Sequence, residues 1–182
     1  MISLSAPLSV MINGYIKSRK WFVMATEIER KFLVTDDSWR AAVRKESFYR
    51  QGYLASSDGA SVRVRVADGK ANLNIKSMTL GVSRHEFEYL IPLSDAEQML
   101  DELCLGPKIE KIRYFVDHAG HTWEVDVFEG DNAGLIVAEI ELDSEDEAFE
   151  KPSWAGDEVS DDERYYNVCL VKHPYKEWQD KS

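Results

Sequence analysis

Ala25-Thr26-Glu27-Ile28-Glu29-Arg30-Lys31-Phe32-Leu33-Val34 sets the reading of the whole chain. Side chains of a strand alternate between two faces, so as a strand this run puts Glu27, Glu29 and Lys31 on one side and Ile28, Arg30 and Phe32 on the other. Like charges stacked on one face repel. A row of this kind needs a compensating partner, and a divalent cation or a polyanion supplies one.

The same period of two recurs along the chain, predicting further strands at about 47 to 54, 61 to 67, 71 to 77, 83 to 91, 110 to 117, 122 to 128 and 136 to 142. Ser57-Asp58-Gly59, Asp68-Gly69, Ala119-Gly120 and Gly130-Asp131-Asn132 supply turns between them. Helices are expected at about 36 to 45, 94 to 104, 145 to 149 and 161 to 171. The second carries the fullest signals, with Ser94 as cap, Glu97 completing a capping box and Gly106-Pro107 as the stop. The expectation is an α+β, mainly β domain: antiparallel strands joined by tight turns into a closed barrel or a sandwich, with flanking helices.

Alternation alone describes an ordinary half-solvated sheet. Here the polar positions are almost all fully charged, and they are sorted by sign. Acid-x-acid pairs stand at Glu27/Glu29, Glu86/Glu88, Glu124/Asp126 and Glu139/Glu141, and base-x-base pairs at Arg63/Arg65 and Lys111/Arg113, with Lys76 on the strand between. Exposed surfaces mix signs to avoid such clashes. Opposed rows of carboxylates and cations instead fit a cavity for cations and a polyanion, so the expected fold is an eight-stranded barrel with a charged lumen and an apolar outside.

With 182 residues, 44% of them hydrophobic, the chain is large enough for one domain and its core. A net charge of −11 argues against a general nucleic-acid binder. Cys104 and Cys169 lie far outside zinc or redox spacing, which predicts a reduced, cytoplasmic protein. No stretch is apolar enough to span a membrane. Residues 1 to 23 carry three bases and no acid, with the charges after the apolar stretches, the reverse of a secretory signal. They read as a leader, Met24 as a start, and residues 24 to 182 as the domain. His85, His118, His121 and His173 form no ligand-like set. Tyr49, Tyr53, Trp123 and Tyr165 are expected to pack.

Glu27-x-Glu29-x-Lys31, Val62-Arg63-Val64-Arg65, Lys76, Lys111-x-Arg113 and Glu139-x-Glu141, in this order across about residues 25 to 172, resemble the CYTH or triphosphate tunnel metalloenzyme superfamily. The resemblance implies an eight-stranded antiparallel tunnel acting on a triphosphate-containing small molecule. The short bacterial forms that begin Glu-Arg-Lys-Phe-Leu-Val cleave inorganic tripolyphosphate to pyrophosphate and phosphate. It further implies Mg²⁺ or Mn²⁺ at Glu27, Glu29, Glu139 and Glu141, and phosphate contacts from Lys31, Arg63, Arg65, Lys76, Lys111 and Arg113, with Arg84 and Arg164 as further cations. Glu29 and Lys31 carry the catalytic expectation, Lys31 orienting the attacking water. Glu86, Glu88, Glu124 and Asp126 serve a second ion or balance the lumen's cations. The rival readings are a class IV adenylate cyclase, a thiamine triphosphatase and a non-catalytic polyphosphate or nucleotide sensor. Neither nucleic acid nor membrane is an expected partner, and the protein is expected to be a monomer or homodimer.

Overall fold

A computed structural model describes residues 25–77 and 82–178. The expectation of a leader over residues 1 to 23 lies outside them. Among the described residues, nine strands and two helices follow in the order β1 (Ala25–Val34), β2 (Val43–Ser56), β3 (Ala60–Ala67), β4 (Lys70–Ser77), β5 (Ser83–Ile91), α1 (Leu93–Glu102), β6 (Ile109–His118), β7 (His121–Phe128), β8 (Ile136–Glu141), β9 (Ala155–Glu158) and α2 (Asn167–Lys172). The sheet runs β5-β4-β3-β2-β6-β7-β8-β1, and β1 pairs back onto β5 to close an eight-stranded antiparallel barrel. Tight turns make this possible. Asp68-Gly69 joins β3 to β4 with φ of 51° and 71°, and Ala119-Gly120 joins β6 to β7 with φ of 48° and 86°, the left-handed region that Gly and Asp tolerate best.

Closure is staggered. Residues 25–28 of β1 pair with β5, residues 29–33 pair with β8, and Phe32 and Val34 also meet β9. Between those contacts the Lys31 amide donates to Ser160 Oγ at 2.9 Å, and the Val159 amide donates to the Lys31 carbonyl at 2.9 Å. The strand is therefore pinned at Lys31, the last of its charged residues.

Because the lumen is charged, the apolar core lies outside the barrel wall. Phe32, Trp39, Trp123, Ile140 and Trp154 form one cluster; Ile109, Phe128, Leu135, Leu170 and Trp178 form a second around α2; Val64, Ala71, Ala96 and Leu100 form a third under α1. The α1 end approaches so closely that a Cβ on Gly52 would stand 2.3 Å from Cys104 Sγ.

The local differences from sequence expectation have tertiary causes. The segment from 36 to 45 makes only a 3-10 turn at Ser38–Ala42, because Trp39 is buried against Tyr114 and the chain from Val43 pairs with β6. Residues 145 to 149 form no helix; Phe149 packs instead against Phe32 and Trp123. The last expected helix is a turn at Glu163–Tyr165 followed by α2. α1 starts one residue early behind Pro92, so Ser94 does not cap it, and Glu97 pairs with Arg50 instead of closing a box. The short β9 carries no alternating pattern and was not expected.

Candidate active site

The sheet order divides the lumen into two walls. Neighbouring strands β4, β3, β2 and β6 present Asn72, Asn74 and Lys76, then Arg63 and Arg65, then Tyr49, Gln51 and Tyr53, then Lys111 and Arg113, with no carboxylate among them. Neighbouring strands β7, β8, β1 and β5 present Glu124 and Asp126, Glu139, Glu27 and Glu29, and Glu86 and Glu88, together with Lys31 and Arg84. The walls meet across a central cavity of about 50 Å³. It shares Arg63, Lys76 and Arg84 with a space of about 340 Å³ also lined by Tyr166, Asn167 and Lys172, and Tyr49 and Arg65 with one of about 590 Å³ also lined by Lys70 and Leu90.

Ion pairs form within the acidic wall, through Lys31 and Arg84, and between the walls, through Lys76, Arg65, Lys111 and Arg113. Lys31 Nζ contacts Glu29 at 2.5 Å and also Glu139. Arg84 donates to Glu27 at 2.8 Å and to Glu29 at 2.9 Å; Lys76 donates to Glu27 at 2.8 Å and lies 3.0 Å from Glu86. Arg113 forks onto Asp126 with two bonds of 2.7 Å, reaches Glu139 at 2.5 Å and also touches Glu124. Lys111 contacts Asp126, and Arg65 reaches Glu88 at 2.7 Å. Arg63 differs from these: its carboxylate neighbour Glu86 is 3.9 Å away, and its Nε has no hydrogen-bond partner.

Protonation follows from this pairing. Burial opposes charge on Lys31, but Glu139 and Glu29 outweigh it and hold the ammonium above its ordinary range. Burial and then Arg113 push Lys111 down to about 8, with Asp126 and Glu139 only partly offsetting them. Burial would raise Glu139, yet Lys31, Arg113 and Lys111 hold it well below the usual carboxylate range. Burial, then Glu27, Glu29 and Glu86, raise Glu141.

The structure brings Glu27, Glu29, Lys31, Arg63, Arg65, Lys76, Lys111, Arg113 and Glu139 around one cavity. Glu141 is exposed at its edge, in register with Glu29, because β8 ends there. Arg84 joins the lumen. Arg164 does not: it lies on the surface paired with Asp162 at 2.6 Å. Arg30 faces outward to Glu158, as alternation predicts. Tyr49 and Tyr53, expected to pack, line the lumen: the Tyr49 ring lies between Arg65 and Arg113, and Tyr53 is buried beside Arg63. Sequence reasoning also missed Gln51, Asn74 and Asn167. For Gln51 a signal was available, since Tyr49, Gln51 and Tyr53 share one strand face.

Among the described residues no three acidic, histidine or cysteine side chains converge in a ready metal-binding group; the carboxylates are held by lysines and arginines. The donor chemistry nonetheless fits a hard divalent ion. All the acids are oxygen donors on neighbouring strands, Glu29 and Glu141 are cross-strand partners, and an ion such as Mg²⁺ keeps waters and needs only one or two carboxylates beside phosphate oxygens.

A closed barrel that opposes a wall of cations and amides to a wall of carboxylates is a receptor for a polyanion taken up together with cations. The chain belongs to the CYTH domain family, whose sequence profile matches residues 25–169. It is 48% identical over 157 residues to an inorganic triphosphatase of Acetivibrio thermocellus, covering 86% of this chain and all of that protein. It is 40% identical over 152 residues to an inorganic triphosphatase of Nitrosomonas europaea, covering 80% of this chain and 97% of the relative. A crystal structure of an inorganic triphosphatase superposes with a TM-score of 0.60 at 35% identity, over 81% of this chain and 95% of the other.

Proposed function

We propose that the protein is a metal-dependent hydrolase that cleaves inorganic tripolyphosphate to pyrophosphate and phosphate inside the barrel. The observation that carries this reading is the division of the lumen: a pure anion binder gains nothing from a wall of carboxylates, and a pure cation binder gains nothing from Arg63, Arg65, Lys76, Lys111 and Arg113 opposite. Both walls are needed for a phosphate chain bound with divalent ions. The two inorganic triphosphatases similar over most of their length support the same substrate.

Phosphoryl transfer asks a protein chiefly for positioning and charge stabilisation. Arg63, Arg65, Lys76 and Arg113 grip the phosphoryl oxygens and replace the water lost from them, with Lys111 beside them in the same cavity. Glu27, Glu29, Glu139 and Glu141 would hold Mg²⁺ or Mn²⁺, which would supply charge neutralisation for the phosphoryl group. Lys31, tied to Glu29 and Glu139, stays protonated, so its part is to orient rather than to accept a proton. Lys111 is the lumen cation that can lose its proton near pH 8, and we assign it the proton of the attacking water. The free thiols Cys104 and Cys169 are consistent with the proposed cytoplasmic location.

Phosphate release from tripolyphosphate, ATP and thiamine triphosphate, each with Mg²⁺ or Mn²⁺, tests the reading. Tripolyphosphate should be turned over fastest. Faster formation of cyclic AMP from ATP, or binding without turnover of any of the three, would overturn it.

A further inference from the structure

Gln51 stands on β2, the middle strand of the acid-free wall, in register with Arg65 on one side and Ile109 on the other. It is 1% exposed and lines the central cavity, yet its Nε2 has no hydrogen-bond partner among the described residues. A buried amide donor left unpaired costs about 1–3 kcal/mol, so a sequence that keeps one has a use for it or places water there. The neighbours decide which acceptor can come. The charged residues on the strands flanking Gln51 in the cavity include Arg63, Arg65 and Lys111, all donors, while the carboxylates that share the cavity, Glu27, Glu29 and Glu139, stand on the facing wall and are held by Lys76, Arg84, Lys31 and Arg113. None of these acceptors, nor Asn167 Oδ1 at the cavity rim, bonds to Gln51, so its amide is open to an acceptor that arrives from outside and tolerates three cations around it.

Arg63 Nε, also buried and unpartnered, faces the same cavity. The other lumen cations each have at least one donor already held by a carboxylate, which an incoming anion has to compete with. At Gln51 and Arg63 it need not.

We propose that Gln51 is a further substrate-binding residue, whose carboxamide Nε2 donates to a phosphoryl oxygen of the bound phosphate chain beside Arg63. This rests on the triphosphatase reading for the identity of the ligand. A neutral donor suits the centre of this wall, because a sixth cation there would repel Arg63, Arg65 and Lys111 in the free protein, whereas an amide adds a hydrogen bond without adding charge.

The test compares the full chain with Gln51→Met, which keeps length and removes the donor, and Gln51→Glu, which keeps shape and puts a carboxylate on the acid-free wall. Three readouts are taken: steady-state hydrolysis of tripolyphosphate with Mg²⁺, calorimetric binding of tripolyphosphate, and melting temperature without ligand. A hydrogen bond to a charged group predicts a KM and a Kd raised roughly tenfold to a hundredfold in Gln51→Met, with kcat within about threefold of wild type. Gln51→Glu should lose more. Since no protein partner is lost, the ligand-free melting temperature of Gln51→Met should be unchanged or higher.

An unchanged KM and Kd in both variants would overturn the proposal, as would a fall of several degrees in the ligand-free melting temperature with unchanged affinity, which would make Gln51 a structural residue. If the wild type binds tripolyphosphate without hydrolysing it, the triphosphatase reading fails alone and the calorimetric comparison still decides Gln51. If the wild type does not bind it, both fall.

Discussion

Glu29 and Glu141 stand directly opposite each other across the β1–β8 pair, two carboxylates in one register position. Cross-strand like charges destabilise a sheet, and Glu141 carries the consequence: burial, then Glu27, Glu29 and Glu86, lift its pKa above the ordinary value. The sign is that of an acid raised in the folded state. Its favourable contribution is present at low pH and is lost as pH rises past the unfolded value, about 4.3, and through the folded one, so at neutral pH the charged group works against the fold. Glu141→Gln should therefore leave the metal-free protein as stable or more stable, while reducing the rise in melting temperature that Mg²⁺ or Mn²⁺ gives the wild type. Thermal denaturation with and without each ion measures both effects. A variant that melts lower without metal and responds fully to it would remove Glu141 from the proposed ion site.

Lys111 makes the pH profile specific. The quantity kcat/KM reports groups of the free enzyme, so a lysine titrating at about 8 predicts that kcat/KM for tripolyphosphate rises through pH 8 and then levels. Lys111→Arg keeps a cation that does not lose its proton in this range. It should erase the rising limb and lower the plateau by about 10²-fold or more, the usual contribution of a positioned base. Stability should move in the same direction. A lysine lowered in the folded state has its charged form penalised below about pH 8, and that penalty is relieved as pH rises from 8 towards the unfolded value of about 10.4. A profile in Lys111→Arg that matches the wild type would return the proton to another group.

Arg113 holds the buried acids together. Its guanidinium serves Asp126, Glu139 and Glu124, and Asp126 is fully buried. Removing one member of such a network strands charge in the interior, at a cost of about 3–5 kcal/mol. Arg113→Met should lose about that much in urea denaturation, whereas Arg164→Met, which breaks only a surface pair with Asp162, should change little. Comparable losses in the two variants would mean that water already screens the lumen pairs.

The barrel was legible because its constraint is local. Alternation in Val62-Arg63-Val64-Arg65 or Trp123-Glu124-Val125-Asp126 is a property of neighbours, and sign sorting told which face was enclosed. The helices were less legible because their fate was decided at a distance. Residues 38 to 42 have helical composition, but Trp39 is drawn against Tyr114 and Val43 into β6, neither of which lies nearby in sequence. β9 has almost no pattern of its own and exists because β1, leaving β5 after Ile28, exposes an edge that Ala155–Glu158 completes. The charged members of the candidate site were found by sign. Gln51, Asn74, Tyr49 and Tyr53 were missed because none carries a charge for the sign sorting to act on; for Gln51 the strand face it shares with Tyr49 and Tyr53 was the one signal left.

Gly52 reports on how closely α1 is joined to the barrel. A Cβ there would lie 2.3 Å from Cys104 Sγ and 3.2 Å from both Cys104 Cβ and Leu100 Cδ2, and Leu100 is itself buried among Val64, Ala71 and Ala96. One added methyl group must therefore push back the end of α1 or bend β2. Overpacking of this kind costs about 1–3 kcal/mol. Gly52→Ala should lower stability by that amount in urea denaturation. Cys104→Ala, which removes the sulfur but leaves the 3.2 Å neighbours, should restore part of the loss in the double variant and much less than that in the wild-type background. Additive effects of the two changes would show that α1 shifts freely on the barrel, and would mean that the third apolar cluster packs less tightly than its buried side chains indicate.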